Sequence, residues 1–264
     1  MKKIILFLGL ILTLVACSSG GEDPVDQGSD YDRTALLTNW ADNIIVPSYT
    51  NYQAKVEILI TNANTFTTAP TAENLQTLRT SWLEAYKAYQ YISMYSFGKA
   101  EAVNLKECTN AYPTNTTGIE ANILSGTYNL ALLSQYDKQG FPALDYLING
   151  LATSDQAIIA FYVTNANATN YKNYLVALNN RLKSNIDAIL TDWKSSYRNT
   201  YVANSGTSVS SSVNISTNNF VKNLEKDVRS GKVGIPAGMF SNGAKFPEKV
   251  EAFYKNDVSK ELLN

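Results

Sequence analysis

The side chains that could carry chemistry in this sequence are carboxylates, lysines and phenols, because the chain contains no histidine. Without imidazole there is no Ser-His-Asp or Cys-His nucleophile, no HExxH zinc site and no histidine ligand for any other metal. The chain has 17 tyrosines, and a phenol can pack in a core, form hydrogen bonds or ligate ferric iron in haem proteins. Acidic and phenolic side chains are therefore the first candidates for a site.

The two cysteines are predicted to differ in chemistry, with Cys17 lipidated and Cys108 a free thiol. Lys2 and Lys3 precede an apolar run over residues 4–16 that is too short for a permanent transmembrane helix and is typical of a signal peptide. The four residues that end at Cys17, Leu-Val-Ala-Cys, resemble the bacterial lipobox. The resemblance implies that Cys17 receives a diacylglycerol, becomes the new N-terminus after cleavage and is then acylated. The alternative is an ordinary secretory signal with a chance cysteine. Lipidation of Cys17 would leave Cys108 without a disulfide partner.

The residues after Cys17 predict a tether to a membrane. Residues 1–16 are assigned to the lipoprotein signal peptide and residues 17–30 to a flexible segment, since the latter is polar and rich in Gly and Ser. Ser18 directly after the cysteine is typical of sorting to the outer membrane, and Glu22-Asp23 resembles the surface-export signals of Bacteroidetes lipoproteins. We therefore expect membrane attachment through Cys17, at the periplasmic face or the cell surface of the outer membrane.

Composition and periodicity predict an all-α fold. The formal net charge of −1 gives no electrostatic case for binding nucleic acid. Apolar residues recur every three or four positions, most clearly after Thr71, where Leu75, Trp82 and Tyr89 belong to one aromatic stripe that we interpret as bundle core. We expect two packed helical bundles, over residues 31–150 and 151–264.

Helix signals place the elements along these two halves. Pro47 is expected to kink or split the first helix, and Thr71 is expected to begin the next one. Ser154 is expected to cap a helix of the second half. Pro142 fits the first turn of a new helix. The pattern weakens over residues 97–140, a long connection of a kind that is often functional. A long helix is predicted over 170–197, followed by a loop or weak helix start over 204–219. A helix is predicted over 220–229 and is interrupted by residues 231–238. A last helix is predicted from Pro247.

Five segments resemble the imelysin-like family, which comprises bacterial envelope proteins grouped as M75 peptidases and includes EfeO-type iron-uptake proteins. The first helix carries Pro47 followed by Tyr49, and the second carries Trp82, Lys87 and Tyr89. The others are Phe97-Gly98, Tyr112-Pro113 and residues 140–147, Gly-Phe-Pro-Ala-Leu-Asp-Tyr-Leu, which are similar to the family signature Gly-x-His-x-x-Glu. The resemblance implies two helical bundles with the signature between them. The chain is short for a full member, which leaves open a trimmed second bundle.

The signature is degraded in this chain. Gly140 matches its glycine, but Pro142 stands at the histidine position and Asp145 at the glutamate position. Proline offers no ligand atom, so the paired ligands that the family would direct to one metal are absent here, and Asp145 alone is a weak metal ligand. The alternative role of Asp145 is a first-turn acid stabilised by the helix dipole.

The candidate ligand-binding residues combine the signature with polar side chains near the irregular middle. A haem ligand would have to be tyrosine or methionine, and ferric iron would need carboxylates and phenolates. For each candidate the competing interpretation is a solvated position on a helix surface, and Glu84 and Lys87 could simply pair with each other. The candidates are Gly140, Pro142, Asp145, Glu84, Lys87 and Tyr112, with Glu101, Glu107 and Asp137 as further acids.

Three functions follow from this resemblance and these residues. The leading hypothesis is a non-catalytic lipoprotein associated with iron or haem uptake, with iron or haem as its ligand. The second is a peptidase, which would need a metal-binding set that the sequence lacks. The third is a helical surface protein that binds an outer-membrane transport partner, for which residues 234–238 offer a contact loop.

Overall fold

A computed structural model describes residues 31–263 of the chain. The predicted signal peptide (1–16), the lipidation site Cys17 and the tether (17–30) lie outside the described residues. Every regular element within residues 31–263 is helical, and no strand occurs among them. The all-α prediction is confirmed.

The helices follow one another with short connections. Several are joined end to end through π-helical segments, in which backbone hydrogen bonds span five residues. The α-helices are α1 (Arg33–Asn39), α2 (Val46–Thr68), α3 (Ala72–Gln90), α4 (Lys99–Ala102), α5 (Leu105–Thr109), α6 (Thr116–Ser125), α7 (Gly140–Asp145), α8 (Asp155–Val163), α9 (Ala168–Asp192), α10 (Arg198–Ala203) and α11 (Ser212–Lys222). The π-helices are Trp40–Ile45, Tyr146–Gly150, Trp193–Tyr197 and Asn223–Gly234, and the 3-10 helices are Leu133–Lys138, Pro247–Lys249 and Asn256–Leu262.

The three longest helices, α2, α3 and α9, form the centre of the core, with α2 packed against both of the others. The aromatic stripe predicted for α3 is buried, as Trp82, Tyr86 and Tyr89 are each at most 1% exposed. Burial of large aromatic side chains contributes much of the hydrophobic stabilisation of such a core. Most of the tyrosine-rich composition therefore serves packing.

Two predicted caps begin helices as expected. The hydroxyl of Thr71 accepts a hydrogen bond of 3.2 Å from the backbone N–H of Asn74 at the start of α3. Ser154 accepts one of 3.3 Å from the N–H of Ala157 at the start of α8. Each side chain satisfies a backbone donor that the first helical turn would otherwise leave unpaired.

Pro47 does not end the helix. The π-helix Trp40–Ile45 runs directly into α2, with helical backbone angles at Ile45, and Pro47 is the second residue of α2. Because proline has no N–H, it cannot donate a hydrogen bond to the turn before it, and the continuous helix lacks one hydrogen bond there. Pro142 lies in the first turn of α7, as predicted, where an N–H would have no intrahelical acceptor.

One expectation for the last quarter of the chain is wrong and two are met. The stretch 204–219, expected as a loop or a weak helix start, contains the start of α11, which Ser211 caps. The helix that follows ends at Gly234, within the predicted interruption 231–238. The helix expected from Pro247 is only the short 3-10 turn Pro247–Lys249.

The described residues from Thr34 onward form one compact unit. Helix α9 follows the predicted boundary at residue 150 in the sequence, and it packs along α2, which precedes that boundary. The described core therefore runs across that boundary, and the division into bundles 31–150 and 151–264 stays a prediction. Within residues 31–263 no helix is both long and apolar enough to cross a bilayer.

Candidate functional site

The signature segment begins at Gly140, where the backbone requires glycine. The φ angle of Gly140 is +77°, and a Cβ built there would lie 2.2 Å from the carbonyl oxygen of Thr109. A side chain would be strained by its backbone conformation and would collide with the backbone of α5. Gly140 thus lets α7 approach α5 closely and has a positioning role.

Phe141 fixes α7 against α3. Its ring stacks on Tyr86 with centroids 4.5 Å apart and planes 10° from parallel. Its carbonyl oxygen accepts a hydrogen bond of 3.1 Å from the indole N–H of Trp82. The aromatic residues quoted for the family resemblance therefore serve to hold the signature helix in place.

Pro142 is buried at the position of the signature histidine. Together with Tyr112, Asp145 and Tyr254 it lines a cavity of about 190 Å³, which we call the signature cavity. The segment over residues 248–254 contributes the opposite lining, including Glu248 and Phe253. The structure thus brings Tyr112, Pro142 and Asp145 together, as the sequence predicted for a site.

Asp145 anchors the C-terminal segment. One carboxylate oxygen accepts hydrogen bonds from the backbone N–H groups of Tyr254 (2.8 Å) and Lys255 (3.4 Å). The other accepts one of 2.9 Å from the side-chain amide of Asn149. Asp145 is the last residue of α7, so its interpretation as a first-turn acid stabilised by the helix dipole is wrong. Burial raises the pKa of this carboxyl to about 7, although the three donors favour the charged form.

The two signature residues Pro142 and Asp145 do not fit a catalytic metal. Pro142 offers no ligand atom, and both oxygens of Asp145 are used by the chain itself. Among residues 31–263 no three Asp, Glu, Cys or His side chains come together as a metal site. A metal-activated water would need such a set, so no hydrolytic step can be derived from this geometry.

Glu84 and Lys87 lie on the outer face of α3. They form the predicted ion pair with each other, at 3.2 Å. Glu84 also pairs with Lys55, at 3.3 Å, and Lys87 with Glu261, at 3.7 Å. All four side chains are about one third or more exposed, so these pairs contribute little stability. Neither Glu84 nor Lys87 lines the signature cavity.

The further acids of the irregular middle also lie outside the signature cavity. Asp137 pairs with Lys138 at 2.9 Å and accepts a hydrogen bond from the side chain of Asn115, and these groups hold its pKa below the usual value. Glu101 and Glu107 line a separate polar cleft beside α4 and α5. Cys108 is a free, buried thiol whose pKa is raised by burial, which is unlike a reactive cysteine.

A buried charged network beside the site was missed from the sequence. Glu251 is 3% exposed, pairs with Lys232 at 3.1 Å, and accepts a hydrogen bond from Asn110, which in turn accepts one from the Tyr86 hydroxyl. Lys232 also donates to the side-chain oxygen of Gln90 at 2.6 Å. Burial raises the pKa of Glu251. The available signal was a lone acid between Val250 and the apolar residues 252–254.

A model of the imelysin family, described as peptidase M75, matches residues 45–257. The chain belongs to the imelysin family. The match includes the signature segment, so Pro142 and Asp145 lie in the part of the chain that aligns with the family. The family resemblance stated from the five sequence segments is confirmed.

Individual imelysin-family relatives share the fold at low sequence identity. The chain is similar to iron-regulated protein A of Synechococcus elongatus, at 23% identity over 244 residues, covering 87% of this chain and 62% of that protein. The chain thus spans less than two thirds of the length of this relative. It is also similar to the crystal structures of an iron-regulated protein A precursor from Parabacteroides distasonis (17% identity, TM-score 0.68) and an imelysin-like protein from Psychrobacter arcticum (19% identity, TM-score 0.69). Each alignment covers 88% of this chain and 70% of the solved one.

Proposed function

We propose that this imelysin-family chain is a non-catalytic binding protein of the cell envelope that works in iron or haem uptake. The observation that carries the non-catalytic part is the signature segment, where a buried proline replaces the histidine and the acid holds the chain's own backbone. The connection with iron is supported by the relatives named iron-regulated protein A. The ligand is expected at the signature cavity, where Tyr112 and Tyr254 supply phenol groups.

The proposed location is the outer membrane, through a lipid on Cys17. The support is the lipobox-like sequence before Cys17, the serine after it and the acidic pair Glu22-Asp23. Metabolic labelling with a palmitate analogue tests it directly. We expect label and detergent-phase partition for the wild-type chain and neither for Cys17→Ser. Labelling that survives Cys17→Ser would place the anchor elsewhere.

The binding proposal is tested by titrating the purified full chain, in detergent, with ferric citrate and with haemin. We expect saturable one-site binding of one of them, weakened about tenfold by Tyr254→Phe, which removes a hydroxyl from the signature cavity alone and keeps the ring. The control is Tyr128→Phe, whose ring packs against Tyr174 away from the signature cavity. Absence of saturable binding by both compounds would refute the iron and haem proposal.

The peptidase hypothesis is tested on the same preparation. We expect no hydrolysis of a denatured protein substrate above that of a buffer blank. Hydrolysis that Asp145→Asn abolishes, while Asp257→Asn leaves it intact, would overturn the non-catalytic proposal. Asp257 is a suitable control because its exposed carboxylate only pairs with Lys255, at 2.9 Å.

Binding of an outer-membrane protein is a second candidate function, favoured by exposed apolar side chains near the end of the described chain. Met239 and Phe240 are each 60% exposed, and Phe220 and Leu224 are 53% and 51% exposed. Surfaces of this kind often mark protein contacts. Photo-crosslinking from position 240 in intact cells should then yield a discrete adduct that Met239→Asp removes. The same probe at exposed Val163 serves as the control.

A further inference from the structure

A second cavity, of about 330 Å³, shares Tyr112 and Pro113 with the signature cavity and carries an excess of positive charge. We call it the lysine cavity. Its lining includes four lysines and two carboxylates, a formal excess of two positive charges, whereas the whole chain has a net charge of −1. A concave site lined by one sign of charge concentrates ligands of the opposite sign. The charged residues are Lys106, Lys226, Lys232, Lys249, Asp227 and Glu251.

The lysines reach the cavity from three separate elements. Lys106 comes from α5, Lys226 and Lys232 from the π-helix Asn223–Gly234, and Lys249 from the 3-10 helix Pro247–Lys249. Positive charge is therefore distributed over several walls. A ligand with several separate negative groups would contact more of these walls than a compact ion with one charged centre.

Among the described residues, two of the four lysines have no carboxylate partner that offsets their positive charge. Lys106 pairs with Asp227, and Lys232 pairs with Glu251. Within residues 31–263 neither Lys226 nor Lys249 forms an ion pair with a carboxylate, and the ammonium group of Lys249 lies 4.6 Å from the ring centroid of Phe246. These two ammonium groups account for the excess charge of the lysine cavity.

A buried amide in the same lining belongs to the charged network. Gln90 is 7% exposed, and its oxygen accepts the hydrogen bond from Lys232. Its side chain also stabilises the charged form of the Glu251 carboxylate, whose pKa burial raises. Gln90 therefore holds Lys232 and Glu251 in place and leaves the contacts with an anion to Lys226 and Lys249.

We propose that the lysine cavity binds a small polycarboxylate anion, of the size and charge of citrate. The charge excess selects an anion, its distribution over three elements selects separated carboxylates, and the volume lies at the small end of the range for ligand pockets. The inference goes beyond the proposed iron or haem function, because the anion binds with or without a metal ion.

Calorimetric titration of the full chain in detergent with sodium citrate, in low-salt buffer, tests this inference. We expect one saturable site, weakened about tenfold by Lys226→Gln and by Lys249→Gln and further in the double variant, and weakened by added salt. Lys194→Gln, an exposed lysine outside the lysine cavity, is the matched control and should bind like wild type. Circular dichroism of each variant establishes that it is folded.

The titrations separate this inference from the proposed function. No saturable citrate binding by folded wild-type chain would overturn the polycarboxylate site, as would equal weakening by Lys194→Gln. Tighter binding of inorganic phosphate than of citrate would also overturn it and assign the cavity to a compact anion. Haemin binding without citrate binding would leave the proposed function intact. Citrate binding of equal affinity with and without ferric iron, together with no haemin binding, would leave only the polycarboxylate site.

Discussion

At residue 140 the signature glycine serves close packing rather than ligand contact. Its φ of +77° and the 2.2 Å approach of a built Cβ to the Thr109 carbonyl both exclude a side chain. We predict that Gly140→Ala lowers the free energy of unfolding by about 2–4 kcal/mol, from backbone strain and overpacking together. Urea denaturation measures this loss.

Gly206→Ala is the control for that prediction, because nothing lies within 4 Å of a Cβ built at Gly206. Its unfolding free energy should stay within about 0.5 kcal/mol of wild type. If Gly140→Ala is as mild as Gly206→Ala, the close approach of α7 to α5 is not needed for stability.

The buried carboxyl of Asp145 predicts a pH-dependent stability. Its pKa is raised by burial from 3.8 to about 7, so the folded chain holds a proton that the unfolded chain has released between these values. Stability falls with rising pH wherever the native state binds more protons, so this group makes the protein less stable as pH rises from about 4 to 7. The expected change is on the order of 2–4 kcal/mol.

Urea denaturation at a series of pH values, for wild type and Asp145→Asn, measures this contribution as the difference in slope. Glu251, whose pKa burial also raises, adds a trend of the same sign that remains in the variant. The control is Asp257→Asn, since the Lys255 side chain lowers the pKa of this exposed group and its titration lies below the window. An unchanged slope in Asp145→Asn would show that the carboxyl titrates normally.

At the scale of elements, the start of α3 depends on the hydroxyl of Thr71. Thr71→Ala removes the hydrogen bond to the Asn74 N–H and should lower the free energy of unfolding by about 1 kcal/mol. Thr77→Ala is the matched control, since Thr77 is a mid-helix residue whose hydroxyl bonds only to the Glu73 carbonyl. It should be neutral or slightly stabilising. Equal effects of both variants would contradict the capping role.

The π-helices show what local signals do not predict at this scale. Caps depend on one side chain and the turn that follows it, so Thr71 and Ser154 were readable from the sequence. The change from α to π hydrogen bonding at Trp40–Ile45 and at Asn223–Gly234 has no comparable local signature. The caps therefore predict where these helices begin, but not which hydrogen-bond pattern continues them.

At the scale of the whole molecule, the pair Lys232–Glu251 joins the C-terminal segment to α3. Lys232 binds Glu251 (3.1 Å) and the side-chain oxygen of Gln90 (2.6 Å), and the lysine and glutamate side chains are only 9% and 3% exposed. We predict that Lys232→Met lowers the free energy of unfolding by about 3 kcal/mol, because it leaves a buried carboxylate unpaired. Thermal and urea unfolding measure it.

A double-mutant cycle with Glu251→Leu tests this coupling. Removing both charges should cost clearly less than the sum of the single losses, with a coupling above about 1 kcal/mol. The exposed pair Arg229–Glu225, at 2.6 Å, is the control cycle, and its coupling should stay below about 1 kcal/mol. Additive effects at Lys232 and Glu251 would mean that their contact does not hold the segment.

The sequence by itself determined the helical class, the buried face of α3, two helix caps, the family and the loss of the signature histidine. These features depend on residue types and on their spacing within a few helical turns, and both can be seen in the sequence alone. It also named Tyr112, Pro142 and Asp145, which the structure places around one cavity.

Only the tertiary structure decided what those residues touch. Asp145 binds the backbone of Tyr254, 109 residues later, and Asn110 binds Glu251, 141 residues later. Glu84 and Lys87, predicted as site residues, pair on the surface instead. The periodicity of a helix fixes which of its faces is buried, but the partner across that face depends on how distant segments pack, and no local spacing records it.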